Sequence, residues 1–328
     1  MQKTYKIEIS AKTIVFTVIF LLFLKSLWLI RELLFSFLIA FIMMSAIKPV
    51  VVFLEKKGLP RLLSTIIIFV VLIFFLSYAL FIIVPLLVIQ LVGLIKNLPL
   101  IIEGLSPSLI HSFELNSLSQ YLPDLTNQIF NLVKNLFSNA VFIISTLFFS
   151  FYFTLEENFI QSILIKFLGE KEAKKISLIF ASVERRLGAW FWGEIFLMFI
   201  VGFLTFIGLS LIGIKYALPL AFIAGLLEIV PNLGPTISTI PSFLVALNQS
   251  FFLSISVIAL YFLIQQVENN IIVPQVMKKA VGLNPIITLT ALIIGGKIGG
   301  IVGVLLAVPI TLFIETVLIE ILKSKNSP

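Results

Sequence analysis

The chain of 328 residues contains no cysteine. That excludes disulfides, thiolate metal sites and cysteine nucleophiles. Histidine occurs once, at His111 in a polar stretch, so a histidine metal cluster or a Ser-His-Asp triad would rest on that residue alone. Charge is scarce: 12% of residues are Asp, Glu, Lys or Arg, against about 25% in a soluble domain. No Gly-x-x-x-x-Gly-Lys-Ser/Thr loop and no Gly-x-Gly-x-x-Gly motif is present. Energy coupling must then come from an ion gradient or another subunit, and no cofactor is expected. An intramembrane enzyme would need a Ser/His, Asp/Asp or His/Glu metal pair, and none is evident.

What is abundant is apolar surface. Hydrophobic residues make up 60% of the chain and the mean hydropathy is +1.17. A soluble fold of this length cannot bury that much, so lipid is the solvent for much of it. Apolar segments fall at 13–30, 33–47, 62–92, 139–155, 190–213, 217–230, 236–247, 251–273, 285–295 and 300–321. The pattern predicts an all-α polytopic membrane protein of about eight membrane segments, some of them re-entrant helical hairpins. The first apolar stretch continues past Lys25 without a small-residue cleavage site, so it does not read as a cleavable signal.

The net charge of +7 does not point to nucleic acid, because the basic residues sit in short loops between apolar runs. With the N-terminus inside, 17 of the 23 Lys and Arg fall on the inner side. Five (Lys25, Arg31, Lys96, Lys134, Lys215) fall outside, and Lys297 is unassigned. The positive-inside rule then puts both termini in the cytoplasm of a multi-pass inner-membrane protein. The expected organisation is 1–95, a transmembrane hairpin plus a third span; 96–138, an outside amphipathic segment; 139–156, a span; 157–188, cytoplasmic amphipathic helices; and 189–328, a transport core with re-entrant hairpins.

Polar residues inside that core are candidates for function, because a carboxylate in hydrocarbon costs roughly 2.5–3.5 kcal/mol on insertion scales. Glu228 ends one apolar segment. Pro231, Asn232, Gly234 and Pro235 follow, and this cluster cannot continue a helix. Non-helical backbone at membrane depth survives only beside protein or water, so segments 217–230 and 236–247 read as a re-entrant hairpin. Its freed carbonyls and the next half-helix could hold an ion or a polar solute. Desolvation disfavours a charged carboxyl, which suits proton coupling at Glu228. The plain alternative is that Glu228 only caps the hairpin.

Gln265, Glu268 and Asn269 lie three and four residues apart and would share one helix face. Pro274 follows. Amides and a carboxylate suit hydroxylated solutes or hard cations, with Na⁺ at Glu228 or Glu268 as the metal option. They could equally tie helices together. Gly295, Gly299 and Gly303 repeat every four residues, which suits close helix packing. Lys297 in their midst is a counter-ion candidate for one of the glutamates, or snorkels to the interface. Glu315, deep in the last segment, is a secondary pathway candidate. Glu194, after Trp190 and Trp192, reads mainly as an interface marker.

The stretches 228–241, 265–277, 281–285 and 295–309 together resemble the autoinducer-2 exporter (AI-2E) family. The resemblance covers about 215–322. It places Glu and Asn at Glu268 and Asn269, a Pro at Pro274, and Pro-x-x-Gly-Pro at 231–235. The chain departs at Asn232, where the family often has an aromatic, and at Asn284, where a histidine is frequent. The resemblance implies about eight membrane segments, a homo-oligomer (a pentamer) and transport. The leading expectation is a secondary transporter that exports a small hydroxylated solute, such as a quorum-sensing signal, on an ion gradient. A Na⁺(Li⁺)/H⁺ antiporter is the alternative. An oligomeric scaffold or passive pore is the alternative of another class. Expected partners are the bilayer, further copies of the chain, and the solute or Na⁺ and H⁺.

Overall fold

A computed structural model describes residues 11–78, 81, 85, 89, 92–93, 140–156, 159–230, 233–277 and 284–326. The expected outside segment 96–138, and Pro231 and Asn232, lie outside the described residues. The chain is an all-α polytopic membrane protein. Its helices are α1 (Ala11–Leu29), α2 (Arg31–Lys56), α3 (Arg61–Tyr78), α4 (Ala140–Leu155), α5 (Phe159–Leu168) and α6 (Glu170–Leu211). They continue with α7 (Ala217–Leu227), α8 (Leu233–Gln249), α9 (Phe251–Val267), α10 (Val273–Val276) and α11 (Pro285–Asn326). Among the described residues, six helices are long and apolar enough to cross a membrane, and Val141–Leu155 and Ala217–Leu227 are shorter apolar helices.

Helix α6 corrects one expected boundary. The division at 188/189 falls inside a single unbroken helix of 42 residues. The charged face before Gly188 and the apolar run after it suggested two elements. No proline lies within the helix, and the helical backbone runs on through Gly188 and Gly193. At 1.5 Å per residue such a helix is about 63 Å long, roughly twice the hydrocarbon thickness.

Lipid offers little hydrophobic drive between helices, so packing and hydrogen bonds must hold the bundle. Helix α2 packs against α3, α4 and α6. Ser36 on α2 shares a 2.8 Å bond with Thr146 on α4. Trp192 Nε1 donates to the Ala46 carbonyl at 3.0 Å, tying α6 to α2. Two ion pairs add to this. Lys48 meets Glu184 at 2.6 Å, and Arg186 meets Glu315 at 2.7 Å while also donating to Thr316 at 2.9 Å.

Two reversals shape the C-terminal half. Helices α7 and α8 pack against each other, Val230 N–H donates to Leu227 O, and Gly234 N–H donates to Val230 O. A Cβ at Gly234 would collide with the Leu227 carbonyl oxygen, so only glycine lets the limbs close this tightly. Pro235 is the third residue of α8, where no intrahelical N–H is needed. The second reversal is at Gly300, with φ 57° and ψ −136°. It folds α11 back so that Gly295 and Gly303 meet backbone to backbone. The apolar run through Ile286–Lys323 is therefore a hairpin rather than one straight crossing.

Candidate functional site

Helix α9 ends in a widened π-type turn, Glu268–Ile272, in which Val273 N–H donates to the Glu268 carbonyl five residues back. Pro274 explains it. The ring cannot donate to residue 270 and crowds that carbonyl, and the wider turn makes room. Glu268 turns inward and is 3% exposed. Asn269 turns outward and is exposed, as is Asn270, whose amide donates to Gln266 Oε1 at 2.8 Å. The expectation that Gln265, Glu268 and Asn269 share one face is therefore corrected: the altered register removes Asn269. Gln265 stays half-buried, and its Nε2 donates to Glu268 Oε2 at 3.3 Å.

Glu228 caps the C-terminus of α7 and is 1% exposed. Its side chain interacts directly with that of Glu268. Two carboxyls can bond to each other only with a proton between them, since an ionised carboxylate is acceptor-only. Glu194, on α6, completes the group at 5% exposure, within electrostatic reach of both Glu268 and Glu228. Glu194 Oε1 and Glu228 Oε2 are buried without a hydrogen-bond partner. Among the described residues, no lysine or arginine forms an ion pair with any of the three. Among the described residues, no group of three His, Cys, Asp or Glu is arranged to hold a metal ion.

Sequence reasoning undervalued Glu194. Its position after two tryptophans resembled an interface, yet α6 does not start there. The available signal was helical spacing: Leu187, Glu194, Leu197 and Val201 fall on one stripe, and all are buried.

Three elements reach the group from a common side. Glu194 is 17 residues from Leu211, Leu233 is 16 from Gln249, and Glu268 is 17 from Phe251. Each distance is about 25 Å of helix, so Glu194, Leu233 and Glu268 each lie well away from those ends of α6, α8 and α9. Apolar clusters flank them. On one side stand Val183, Leu187, Trp190, Leu197, Met277 and Leu312. On the other stand Leu209, Leu220, Val245, Val257 and Tyr261.

The remaining candidates lie elsewhere. Lys297 is exposed and lines a cleft of about 540 Å³ with Trp28, Arg31 and Glu32, so it is not the counter-ion of Glu228 or Glu268. Glu315 is held in its ion pair with Arg186. Gly299 abuts the Phe35 ring. Pro274 is exposed.

A buried acidic group where α6, α7 and α9 meet, in a bundle of membrane-crossing helices, invites comparison with transporters. The sequence profile of AI-2E family transporters matches residues 17–323. The chain belongs to the AI-2E transporter family. "Putative transport protein YrrI" of Bacillus subtilis is 27% identical over 91% of this chain and 90% of its own length. "Putative transport protein YueF" of the same organism is 30% identical over 90% and 85%. "AI-2 transport protein TqsA" of Escherichia coli is 31% identical over 36% of this chain and 35% of its own. Family membership makes this a transport protein of the multi-pass class, and its site is to be read in those terms.

Proposed function

We propose that the protein is a secondary transporter of the inner membrane in which proton exchange at the Glu194, Glu228 and Glu268 group drives export of a small hydroxylated solute. The observation that carries this reading is that Glu194, Glu228 and Glu268 are all buried within electrostatic reach of one another, with no ion pair to any of them among the described residues. Buried charges of one sign are tolerated only when neutralised, and protons are the simplest neutraliser that can also leave. The three carboxyls come from three elements, α6, the α7–α8 tip and the end of α9. A relative shift of these elements would change which carboxyls hold protons, and this is the requirement for coupling. The apolar clusters on either side would serve as alternate seals.

The re-entrant hairpin belongs to the same proposal. The tip at 228–234 would sit inside the bilayer, with Glu228 supplied by the short limb α7. A Na⁺(Li⁺)/H⁺ antiporter has less support, because the carboxyls are not arranged as metal ligands. A TqsA-like cargo, AI-2, is one instance of the solute class. Both termini would face the cytoplasm, and copies of the chain would assemble around the exposed apolar helices.

The test is proton movement in proteoliposomes under an imposed pH gradient, for wild type, Glu228→Gln and Glu268→Gln. Gradient-driven proton flux that responds to added solute, and that both variants lose while remaining folded, is the expected result. Unchanged flux in both variants would overturn the reading. A proton response to Na⁺ or Li⁺ alone would favour the antiporter.

A further inference from the structure

Between α8 and α9 lies a cleft of about 460 Å³, within the range of small-molecule sites. Its walls are apolar and include Phe243, Ile258 and Phe262. Ile258 and Phe262 are 49% and 61% exposed, so the cleft opens sideways between α8 and the membrane-crossing α9. The lining also carries polar side chains: Thr236 is exposed, Thr239 and Gln265 are half-buried, and Tyr261 is buried. No lining residue is charged.

Gln265 joins this cleft to the carboxyl group, since its amide is the donor to Glu268. At 3.3 Å that bond is longer than the usual N–H···O range of about 2.7–3.2 Å, so the amide is available to a better-placed oxygen. Thr239 Oγ1 donates to the Pro235 carbonyl at 2.7 Å and keeps its own lone pairs free. Tyr261 is 5% exposed, its hydroxyl fixed by Ser242 at 2.7 Å.

We propose that this cleft is the solute site of the transporter and that it takes a neutral amphipathic molecule, an apolar body bearing a hydroxyl or carbonyl group, from the membrane side. The inference rests on the proton-coupled reading above and narrows its substrate class. A charged ligand would find no partner in the lining and would lose its hydration uncompensated. A polyol would leave most of its hydroxyls against phenylalanine and isoleucine. An amphiphile matches both surfaces: its chain lies along Ile258 and Phe262, and its oxygen reaches the polar side chains. There it accepts the Gln265 amide proton, and the Gln265 bond to Glu268 is released. Binding is thereby linked to the state of the carboxyl group.

The experiment uses the full chain in lipid nanodiscs and a diazirine-bearing octanol as photolabel, with labelled residues located by mass spectrometry. Label should concentrate on the cleft-facing residues of α8 and α9. It should be displaced by 1-octanol and not by glycerol. Ile258→Trp, which fills the cleft, should abolish this concentration of label. Gln265→Ala should lower it about five-fold, the effect of one lost neutral hydrogen bond. Label spread evenly over the exposed faces of α1 and α3, or unmoved by both substitutions, would overturn the proposal. Proton flux separates the two readings. Flux that is lost in Glu268→Gln while cleft labelling is absent in wild type sinks the cleft alone. Specific labelling with no proton flux sinks the coupling, and with it the role given to Gln265.

Discussion

Glu194 carries more information than any other single residue. A buried polar atom without a partner costs about 1–3 kcal/mol, and a carboxyl kept under those terms serves something other than stability. Glu194→Leu should therefore raise thermal stability while stopping proton flux. A calorimetric scan beside the proteoliposome assay checks both halves, and a variant that is less stable yet still active would refute the assignment. The Arg186 and Glu315 pair behaves differently. Their side chains are 24% and 34% exposed, so the pair holds the bundle with some screening by solvent. A double-mutant cycle with Arg186→Met and Glu315→Gln should give a coupling energy of about 0.5–3 kcal/mol. Proton flux in each single variant should be retained.

Among the elements, the two hairpins depend on glycine for different reasons. Gly234→Ala places a methyl group into the Leu227 carbonyl, and the limbs of α7 and α8 must part. Forced overpacking of this kind costs typically 1–3 kcal/mol, and it would also displace Glu228. Flux should fall further than the loss of folded protein accounts for. Gly300→Ala meets open space but a backbone conformation that L residues avoid, at about 1–3 kcal/mol. Its effect should appear in thermal stability alone. The sequence showed the first break in the Pro and Gly cluster at 231–235, and the apolar segments 285–295 and 300–321 are already divided by the glycine-rich stretch 295–300. It did not show the continuity of α6, since a change from an amphipathic to an apolar pattern reads as a junction when it is a single rod entering the membrane. It also did not show the outward turn of Asn269. Helical spacing assumes 3.6 residues per turn, and the π-type turn before Pro274 departs from it.

For the whole molecule, topology is the open expectation, and the lack of cysteine makes it directly measurable. Single cysteines at Lys57 and Lys171 should react with a membrane-impermeant maleimide from one side of the membrane, and one at Lys215 from the other. Labelling of all three from one side would overturn the arrangement. The all-α multi-pass character was legible from hydropathy alone. The carboxyl group was not, because Glu194, Glu228 and Glu268 are separated by 34 and 40 positions in the chain, and only packing brings them together. Much apolar surface stays exposed, from Ile14 on α1 to Leu322 on α11. That surface must be covered by lipid or by further copies.

The length of α6 has a mechanical consequence. Glu184 and Arg186 grip α2 and α11 at one point of the rod. Glu194 meets the other two carboxyls about 15 Å further along. No glycine turn or proline interrupts the shaft between them, so it transmits tilt as a lever does. Under the proposed proton coupling, a displacement that follows uptake of a proton at one station would load the ion pairs at the other. Chemistry in the membrane interior would then be legible as strain at a distant clasp, and a spectroscopic ruler between α6 and α11 would read it.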